Sequence, residues 1–520
     1  MNGSVNSLNE SKMTLRYDAT AMAFCIGMLV VALVIGYFHQ IGTYGETDFF
    51  GAYVEQAERI LAGQPYTYGH NPPGYMLVLA AVSLVTGDLF VAGKIISAFA
   101  AALFGWMTYL LFKALFDARI AFATTVLLLL ALIPDSWNVL AATDLLAVVA
   151  LMVCVWVVLR EPHPTLGACF FGGLFAGAAY LVRSPTIFVI PGIGVSLLFV
   201  NRNGESLRIR LARASIYLCG FLLITCPWLI YNWKTNGNPI ASSAHLQIAA
   251  HFYEPQAETL GTTLHQFKSR FRSLSDVLLH DPARVLSVYS RDILYWNPKR
   301  LFVEGMGFPA FLFAGAGFLL LLRDLSKRMI TFLLVCLLGY LFAALVGFQL
   351  RYYIFLRPLL FLSVAYFLFH EYVIAQPKQK PVFNNKIAWL LFIMLAAFGI
   401  KDAYKTTRDI MGQEPGHLIE IAKFLKDRSS SNDIIIVRKP HLGYLTGLEA
   451  TFVIATDVDE WLASARRIGA RYIVYSDYAA KLWPGLTSLR DPDKLPGDFK
   501  LIYHHEPTRT LIYEIVPRNS

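Results

Sequence analysis

The sequence predicts an all-α polytopic membrane bundle of about eleven transmembrane helices, followed by a small exoplasmic α/β domain. The chain of 520 residues is 56% hydrophobic and only 16% charged, whereas about a quarter of the residues in a soluble domain are charged. Apolar runs of roughly 18 residues recur without the alternating period of a β-barrel, and each can cross the hydrocarbon core. Beyond residue 403 this pattern stops, and amphipathic helices alternate with short apolar strands.

The charges of the connecting loops predict how the spans are oriented. Lys and Arg collect in every second loop, and such loops stay in the cytoplasm. The N-terminus is therefore predicted to be cytoplasmic, and residues 404–520 exoplasmic. This parity requires that residues 73–87 form an interfacial helix, which their shortness and the preceding Pro72-Pro73 favour. The predicted spans lie near residues 19–41, 88–113, 118–134, 144–160, 165–182, 185–200, 214–233, 303–322, 329–347, 353–375 and 387–403.

Two domains follow from these assignments. Residues 1–403 form the transmembrane domain, with outer loops at 42–87 and 234–302, and we expect mostly short helices in the longer loop. Residues 404–520 form the exoplasmic domain, which contains no cysteine and no motif with catalytic spacing. We interpret it as a packing or acceptor-docking module. Its predicted helices are Glu414–Arg428 and Val458–Ile468, and its predicted strands are Asp433–Arg438, Arg471–Tyr475, Phe499–Tyr503 and Thr510–Ile515. The net charge of +9 is explained by the cytoplasmic loops, so no nucleic-acid partner is predicted.

Four charged residues on the predicted outer face are not explained by the rule for positive loops: Asp48, Asp144, Arg183 and Arg351. A charged side chain within the membrane costs about 2.5–3.5 kcal/mol on insertion scales, so such groups usually face a polar cavity. The planar guanidinium of arginine binds phosphate oxygens, and a carboxylate can take a proton or hold a metal. The sequence therefore predicts a phosphate-handling site on this face.

Structural interpretations of the same residues remain open. Asp144, together with Thr143, could cap the N-terminus of its helix, and Asp48 could cap a helix over 49–62. Arg183 could extend to lipid head groups. Arg357, deeper along its span, could pair with an acid. Asp144 and Asp48 could share a divalent cation only in a fold that brings them within a few Å.

Short motifs in a fixed order resemble the integral-membrane glycosyltransferases of the GT-C fold, especially the dolichyl-phosphate-mannose protein mannosyltransferase and aminoarabinose transferase group (families 39 and 83). The motifs are Thr47-Asp48-Phe49, Asn71-Pro72-Pro73-Gly74-Tyr75, Thr143-Asp144-Leu145, Arg183-Ser184-Pro185, Pro227 to Asn232, and Arg351-Tyr352. The resemblance implies a polyprenyl-phosphate-linked sugar as donor, a lipid, glycan or protein hydroxyl as acceptor, and a bacterial inner membrane as location. It also implies that Asp48 deprotonates the acceptor, with inversion at the anomeric carbon. Arg183 and Arg351 are the candidates for binding the donor phosphate.

Two departures from this pattern affect the predicted donor region. Relatives often carry Lys or Glu-Lys where this chain has His70-Asn71, and many carry Arg where it has Tyr231, before Asn232. These residues and Asp144 are candidates for contact with substrate or a metal, although a single histidine in such a turn is more often a surface hydrogen-bonding group.

A transporter or flippase of a phosphorylated lipid is the alternative function, because the same charges could line a translocation path. The chain shows no internal repeat of the kind that transporters carry, and its unexplained charges lie at one face rather than mid-span. The sequence therefore favours a hexosyl- or pentosyltransferase, with a divalent cation as an open possibility.

Overall fold

The chain in the computed structural model divides into two compact units, which are described separately. The first comprises Met1–Phe38, Gln64–Ser242 and Leu286–Gly412, and the second comprises His39–Gly63, Ser243–Val285 and Gln413–Ser520. The structure describes residues 2–41, 46–68, 71–200, 204–240, 242–254, 267–306, 310–370, 385–412, 416–437, 440–451, 453, 457–477, 484–495 and 497–516.

The first unit is a helical bundle, and each predicted span overlaps an apolar helix in the part of the chain that the structure describes. Among the described residues, six helices are long and apolar enough to cross a membrane, and the protein is a multi-pass membrane protein. The other spans contain shorter apolar helices, and the segment predicted to be interfacial is helical over Gly74–Thr86. The helices are α1 (Asn2–Phe38), α3 (Gly74–Thr86), α4 (Leu89–Leu115), α5 (Ala118–Leu132), α6 (Asp144–Leu159), α7 (Leu166–Val182), α8 (Val189–Phe199), α9 (Leu207–Asn236), α12 (Pro282–Arg291), α13 (Asn297–Met306), α14 (Ala310–Arg323), α15 (Lys327–Ala344), α16 (Arg357–Phe369) and α17 (Asn385–Met411). Helix α12 begins in the second unit.

Glycines bring the backbones of α7 and α9 into direct contact. A Cβ added at Gly173 would lie 2.0 Å from the carbonyl oxygen of Tyr217, and one added at Gly220 would lie 2.3 Å from that of Phe170. Gly177, one turn after Gly173, faces Ile224 in the same way. Within a membrane, helices associate by such close packing, since lipid offers no hydrophobic driving force between them. This contact fixes the position of the C-terminal end of α7.

Substituting Gly173→Ala should destabilise the protein. The added methyl group must push apart two backbones, and overpacking of this kind costs about 1–3 kcal/mol. We expect a lower thermal unfolding temperature in detergent. Gly194→Ala in α8 is the matched control, because nothing lies within 4 Å of its added Cβ, and it should unfold at the wild-type temperature. Equal unfolding temperatures for wild type and Gly173→Ala would contradict the close helix contact.

The described residues of the second unit include a five-stranded mixed sheet of β1 (Ile434–Ile436), β2 (Glu449–Thr451), β3 (Ala470–Ser476), β4 (Phe499–His505) and β5 (Thr510–Ile515). The order of the strands is β2-β1-β3-β5-β4. Strands β1, β2 and β3 pair in parallel, and β5 is antiparallel to both β3 and β4. Alternate residues of β3 belong to different hydrophobic cores. Tyr472 and Val474 pack with the helix over His417–Lys426. Ile473 and Tyr475 pack with the helix over Val458–Ile468. The tail elements are α18 (His417–Lys426), β1 (Ile434–Ile436), α19 (His441–Thr446), β2 (Glu449–Thr451), α20 (Val458–Ile468), β3 (Ala470–Ser476), β4 (Phe499–His505) and β5 (Thr510–Ile515).

The predicted tail elements are all present, and α20 and β5 have the predicted bounds. Helix α19 and strand β2 are additional, because elements of six and three residues are too short to show a period in the sequence. The remaining helices of the second unit are α2 (Val54–Leu61), α10 (Ala244–Tyr253) and α11 (Leu274–His280). Short helices also fill the described part of the 234–302 loop, as expected. The boundary at residue 403 remains a prediction, and α17 continues through it.

Candidate functional site: a paired-arginine cluster and a candidate base

Arg183 follows the last residue of α7 and turns its side chain back towards the start of α6. Helix α7 ends here because Pro185 has no N–H to donate to the carbonyl of Leu181, and its ring would clash with that carbonyl in a continued helix. Arg183 adopts an extended backbone, with φ −154° and ψ 109°. Its Nη1 donates to Oγ1 of Thr143 at 2.8 Å and lies 3.2 Å from Oδ1 of Asp144. The ends of α6 and α7 are thus joined by an ion pair.

Arg351 approaches the same place from a 3₁₀ helix over Leu350–Leu356. The guanidinium groups of both arginines contact the aromatic ring of Tyr352. Cζ of Arg183 is 5.6 Å from the ring centroid and Cζ of Arg351 is 5.2 Å from it. Nη2 of Arg351 donates to the Tyr352 hydroxyl at 3.4 Å, and its Nε donates to Gln349 at 2.9 Å. Two guanidinium groups are therefore gathered around one phenol.

The burial of these charged side chains has a free-energy cost, because the charges are removed from water. The side chain of Asp144 is 4% exposed and that of Arg183 is 19% exposed. Taking such a pair out of water costs several kcal/mol per ion, and the mutual attraction offsets this only with good geometry. The cluster holds two guanidinium groups and one carboxylate, so it carries a net positive charge. Such a group of donors suits phosphate oxygens.

The structure distinguishes between the interpretations left open by the sequence. Thr143 occupies the N-cap position of α6 without a side-chain capping bond, so neither it nor Asp144 acts as the predicted cap. Arg183 points to Thr143 and Asp144 rather than only to lipid head groups. Arg357 pairs with an acid as expected, and that acid is Asp135.

The turn before α3 is packed against the end of α7. A Cβ added at Gly74 would lie 2.6 Å from the backbone carbonyl of Leu181, two residues before Arg183. Asn71 accepts a hydrogen bond from the Tyr66 hydroxyl at 2.6 Å through its carbonyl oxygen. The hydroxyl of Tyr231 in turn donates to the carbonyl oxygen of Tyr66 at 2.5 Å. Asn71 and Tyr231 thus support the loop that leads to this packed turn.

Two other predicted candidates, Asn232 and His70, are not placed at this cluster by the described residues. The side chain of Asn232 is buried, donates to the carbonyl oxygen of Pro239 at 3.0 Å and accepts from Asn236 at 2.6 Å. These bonds stabilise the C-terminal end of α9, which favours a structural role over substrate contact. His70 lies outside the described residues.

Asp48 belongs to the second unit, where it precedes a π-helix over Phe49–Tyr53. Its side chain is exposed and makes no capping bond to that helix, so the capping interpretation is wrong. The neighbouring Glu46 is buried against His39, with Oε2 3.2 Å from Nε2. Burial, with the nearby Glu55 carboxylate adding to it, raises the pKa of Glu58 in the following helix.

The C-terminal domain holds the segment that carries Asp48. The ring of Phe50 lies 4.6 Å from that of His441 and 5.1 Å from that of Tyr444. A Cβ added at Gly51 would lie 3.1 Å from the ring of Pro440. Helix α19 therefore packs against the segment that carries Asp48, and the packing role of this domain stays a prediction.

Thr143 and Tyr352 are members of the cluster that the sequence analysis placed in motifs but did not propose as site residues. Tyr352 follows Arg351 directly, and an aromatic residue beside an unexplained arginine is the signal that could have identified it.

Among the described residues, no group of three or more His, Cys, Asp or Glu side chains is arranged to hold a metal ion.

Comparisons with known proteins agree with this architecture. A model of the dolichyl-phosphate-mannose-protein mannosyltransferase family matches residues 70–231. The structure is similar to ArnT from Cupriavidus metallidurans bound to undecaprenyl phosphate, with a TM-score of 0.61 and 14% identity over 98% of this chain and 99% of that one. It is also similar to the oligosaccharyltransferase of Archaeoglobus fulgidus in complex with zinc and sulfate, with a TM-score of 0.57 and 13% identity over 95% and 74% of the two chains. No curated protein sequence matches the chain significantly. The predicted resemblance is confirmed, and this protein has the GT-C fold of the integral-membrane glycosyltransferases.

Proposed function

We propose that the protein transfers a monosaccharide from a polyprenyl-phosphate carrier to a hydroxyl group of an acceptor on the exoplasmic face of the membrane. The observation that carries this proposal is the convergence of Arg183 and Arg351 on Tyr352, beside the buried Asp144. A lipid-linked sugar phosphate is the anion that such a cluster suits in a membrane protein. The similar ArnT structure is bound to undecaprenyl phosphate, which supports a polyprenyl phosphate in particular.

The reaction requires a base for the acceptor and cations for the leaving group. Asp48 takes the proton of the acceptor hydroxyl as that oxygen attacks the anomeric carbon. The bond between the anomeric carbon and the phosphate oxygen breaks with inversion, and its electron pair stays on the departing polyprenyl phosphate. Arg183 and Arg351 stabilise the charge that develops there. Preorganised donors of this kind act most strongly where charge appears in the transition state.

The topology of this proposal has eleven crossings and a cytoplasmic N-terminus. Residues 404–520, which pack on the Asp48 segment through α19, lie on the exoplasmic side. The sugar is a hexose or a pentose, and the acceptor is a lipid, a glycan or a protein. If sugar transfer requires a divalent cation, Asp144 and Asp48 are the candidate carboxylate ligands.

A transfer assay with the full chain in lipid nanodiscs tests the proposal. Polyprenyl phosphates carrying different radiolabelled hexoses or pentoses are supplied with acceptor lipids and glycans from the native membrane. We expect one donor to yield a labelled product and free polyprenyl phosphate in equal amounts. Mass spectrometry of glycoconjugates from a deletion strain should show the loss of the same sugar.

The same preparation separates transfer from transport. Proteoliposomes that move a phosphorylated lipid across the bilayer without forming a glycosidic bond would contradict the proposal and support a flippase. Purified protein that forms no product with any donor, while the deletion strain keeps every glycoconjugate, would also contradict it.

A further inference from the structure

A second polar site lies within the first unit, away from the paired arginines. It is a cavity of about 230 Å³ lined by the C-terminal parts of α5 and α13, the start of α16 and the middle of α17. Its polar lining is formed by Asp135, Glu304, Arg357 and Asp402. Neither Arg183 nor any side chain that contacts it lines this cavity. The proposed transfer reaction does not use these four groups.

Arg357 is the buried donor of the cavity. Its side chain is 1% exposed, and it pairs with Asp135 and donates from Nη1 to the carbonyl oxygen of Ala131 at 3.0 Å. Its Nε–H is buried and has no hydrogen-bond acceptor in the part of the chain that the structure describes. Leaving a buried donor unsatisfied costs about 1–3 kcal/mol, and more for a charged group. A ligand that presents an acceptor oxygen to Arg357 would remove that cost.

The remaining polar lining has the opposite charge. Glu304 and Asp402 are exposed carboxylates at the cavity. Glu304 forms an ion pair with Arg300, one turn earlier in the same helix, with Oε1 3.7 Å from Nε. Since Asp135 pairs with Arg357 and Arg300 pairs with Glu304, these groups carry one excess negative charge, that of Asp402. A simple anion such as phosphate is therefore disfavoured here, and a ligand that also carries an N–H cation is favoured.

The apolar lining indicates where the rest of the ligand lies. Leu130, Phe361, Leu395 and Phe398 complete the wall. Phe398 is 46% exposed, and it belongs to α17, whose most apolar window is only 22% buried. Because α17 presents its apolar side chains to lipid, the cavity adjoins the hydrocarbon phase as well as polar groups.

We propose that this cavity binds the head group of a zwitterionic phospholipid with a primary amine. A phosphate oxygen accepts the Nε–H of Arg357, the ammonium group donates to Glu304 and Asp402, and the acyl chains lie along Leu395 and Phe398. The cavity is smaller than the roughly 300–1,000 Å³ of pockets for drug-sized ligands, so it holds the head group alone. This site is independent of the proposed transfer reaction.

Native mass spectrometry of the delipidated full chain tests the site. Phosphatidylethanolamine, phosphatidylcholine and phosphatidylglycerol with identical acyl chains are titrated in turn. We expect phosphatidylethanolamine to bind about tenfold more tightly than the other two, a difference of one decade in Kd. Choline keeps the positive charge but has no N–H to donate, and glycerol has no charge.

Variants of the two carboxylates test the ammonium contact. Folding should be preserved, because the substituted residues are exposed. The double variant Glu304→Gln, Asp402→Asn should lose the preference, whereas Asp409→Asn, on the exposed surface of the same helix, should keep it. Equal binding of the three lipids to the wild-type chain would overturn the proposal, as would an unchanged preference in the double variant. Soluble glycerophosphoethanolamine should compete only weakly, since it lacks the chains. If it binds as tightly as the lipid, the ligand is a free phosphorylated amine and the assignment to a lipid is wrong.

Discussion

Replacing Asp48 with Asn should abolish sugar transfer while the protein remains folded. The amide has the shape of the carboxylate but cannot take the acceptor proton, and general base catalysis contributes roughly 10²–10⁴ to a rate. The substitution should be tolerated structurally, because the side chain is exposed and does not cap the helix that follows it. The measurement is the initial rate of transfer to a saturating acceptor in nanodiscs. We expect kcat to fall by that factor, with little change in the KM of the donor.

A matched control for Asp48 is available in the same segment. Glu55→Gln removes an exposed carboxylate from α2, within the same stretch of the second unit, and should leave the transfer rate unchanged. The unfolding temperature of both variants should equal that of the wild type. Full activity in Asp48→Asn, or an equal loss in Glu55→Gln, would show that the proton leaves by another route.

Replacing Arg183 with Ala should reduce transfer and stability together. Loss of one preorganised donor costs about 10²–10³ in kcat. Removing the guanidinium also leaves the buried carboxylate of Asp144 without its ion-pair partner, and breaking a buried pair in this way costs about 3–5 kcal/mol. The variant should therefore unfold at a lower temperature and transfer slowly. Arg183→Lys should recover the charge but not the two-pronged geometry, so its activity should be intermediate.

A double variant separates the two roles of Arg183. In Asp144→Asn, Arg183→Ala, the unpaired charge is gone, so the unfolding temperature should return towards that of the wild type. Transfer should remain low, because the phosphate has still lost its donor. The comparison of single and double variants isolates the coupling between the two residues. If the double variant recovers transfer along with stability, then Arg183 serves only to neutralise Asp144, and the phosphate-binding role must be withdrawn.

The amino-acid sequence by itself determined the local elements of this protein. An apolar run of sufficient length is a helix wherever it lies in a membrane, because its backbone groups can pair only within the segment. In the C-terminal domain, period and capping are equally local, so the bounds of α20 and β5 follow directly from the sequence. The sequence also identified the charged residues of the candidate site, because the rule for positive loops does not explain charges at helix ends on the predicted outer face.

Only the tertiary structure decided which of these residues meet. Arg183 lies 40 positions after Thr143 and reaches it because α7 packs against α6, where a Cβ added at Gly172 would lie 2.6 Å from the side chain of Val158. Tyr352 comes from a distant 3₁₀ turn. Likewise, an acid partner for Arg357 could be expected, but Asp135 lies 222 positions away. Helix formation depends on neighbours within a few residues, whereas the convergence of side chains depends on how whole helices pack. That packing is a property of the complete fold, and no short stretch of sequence contains it.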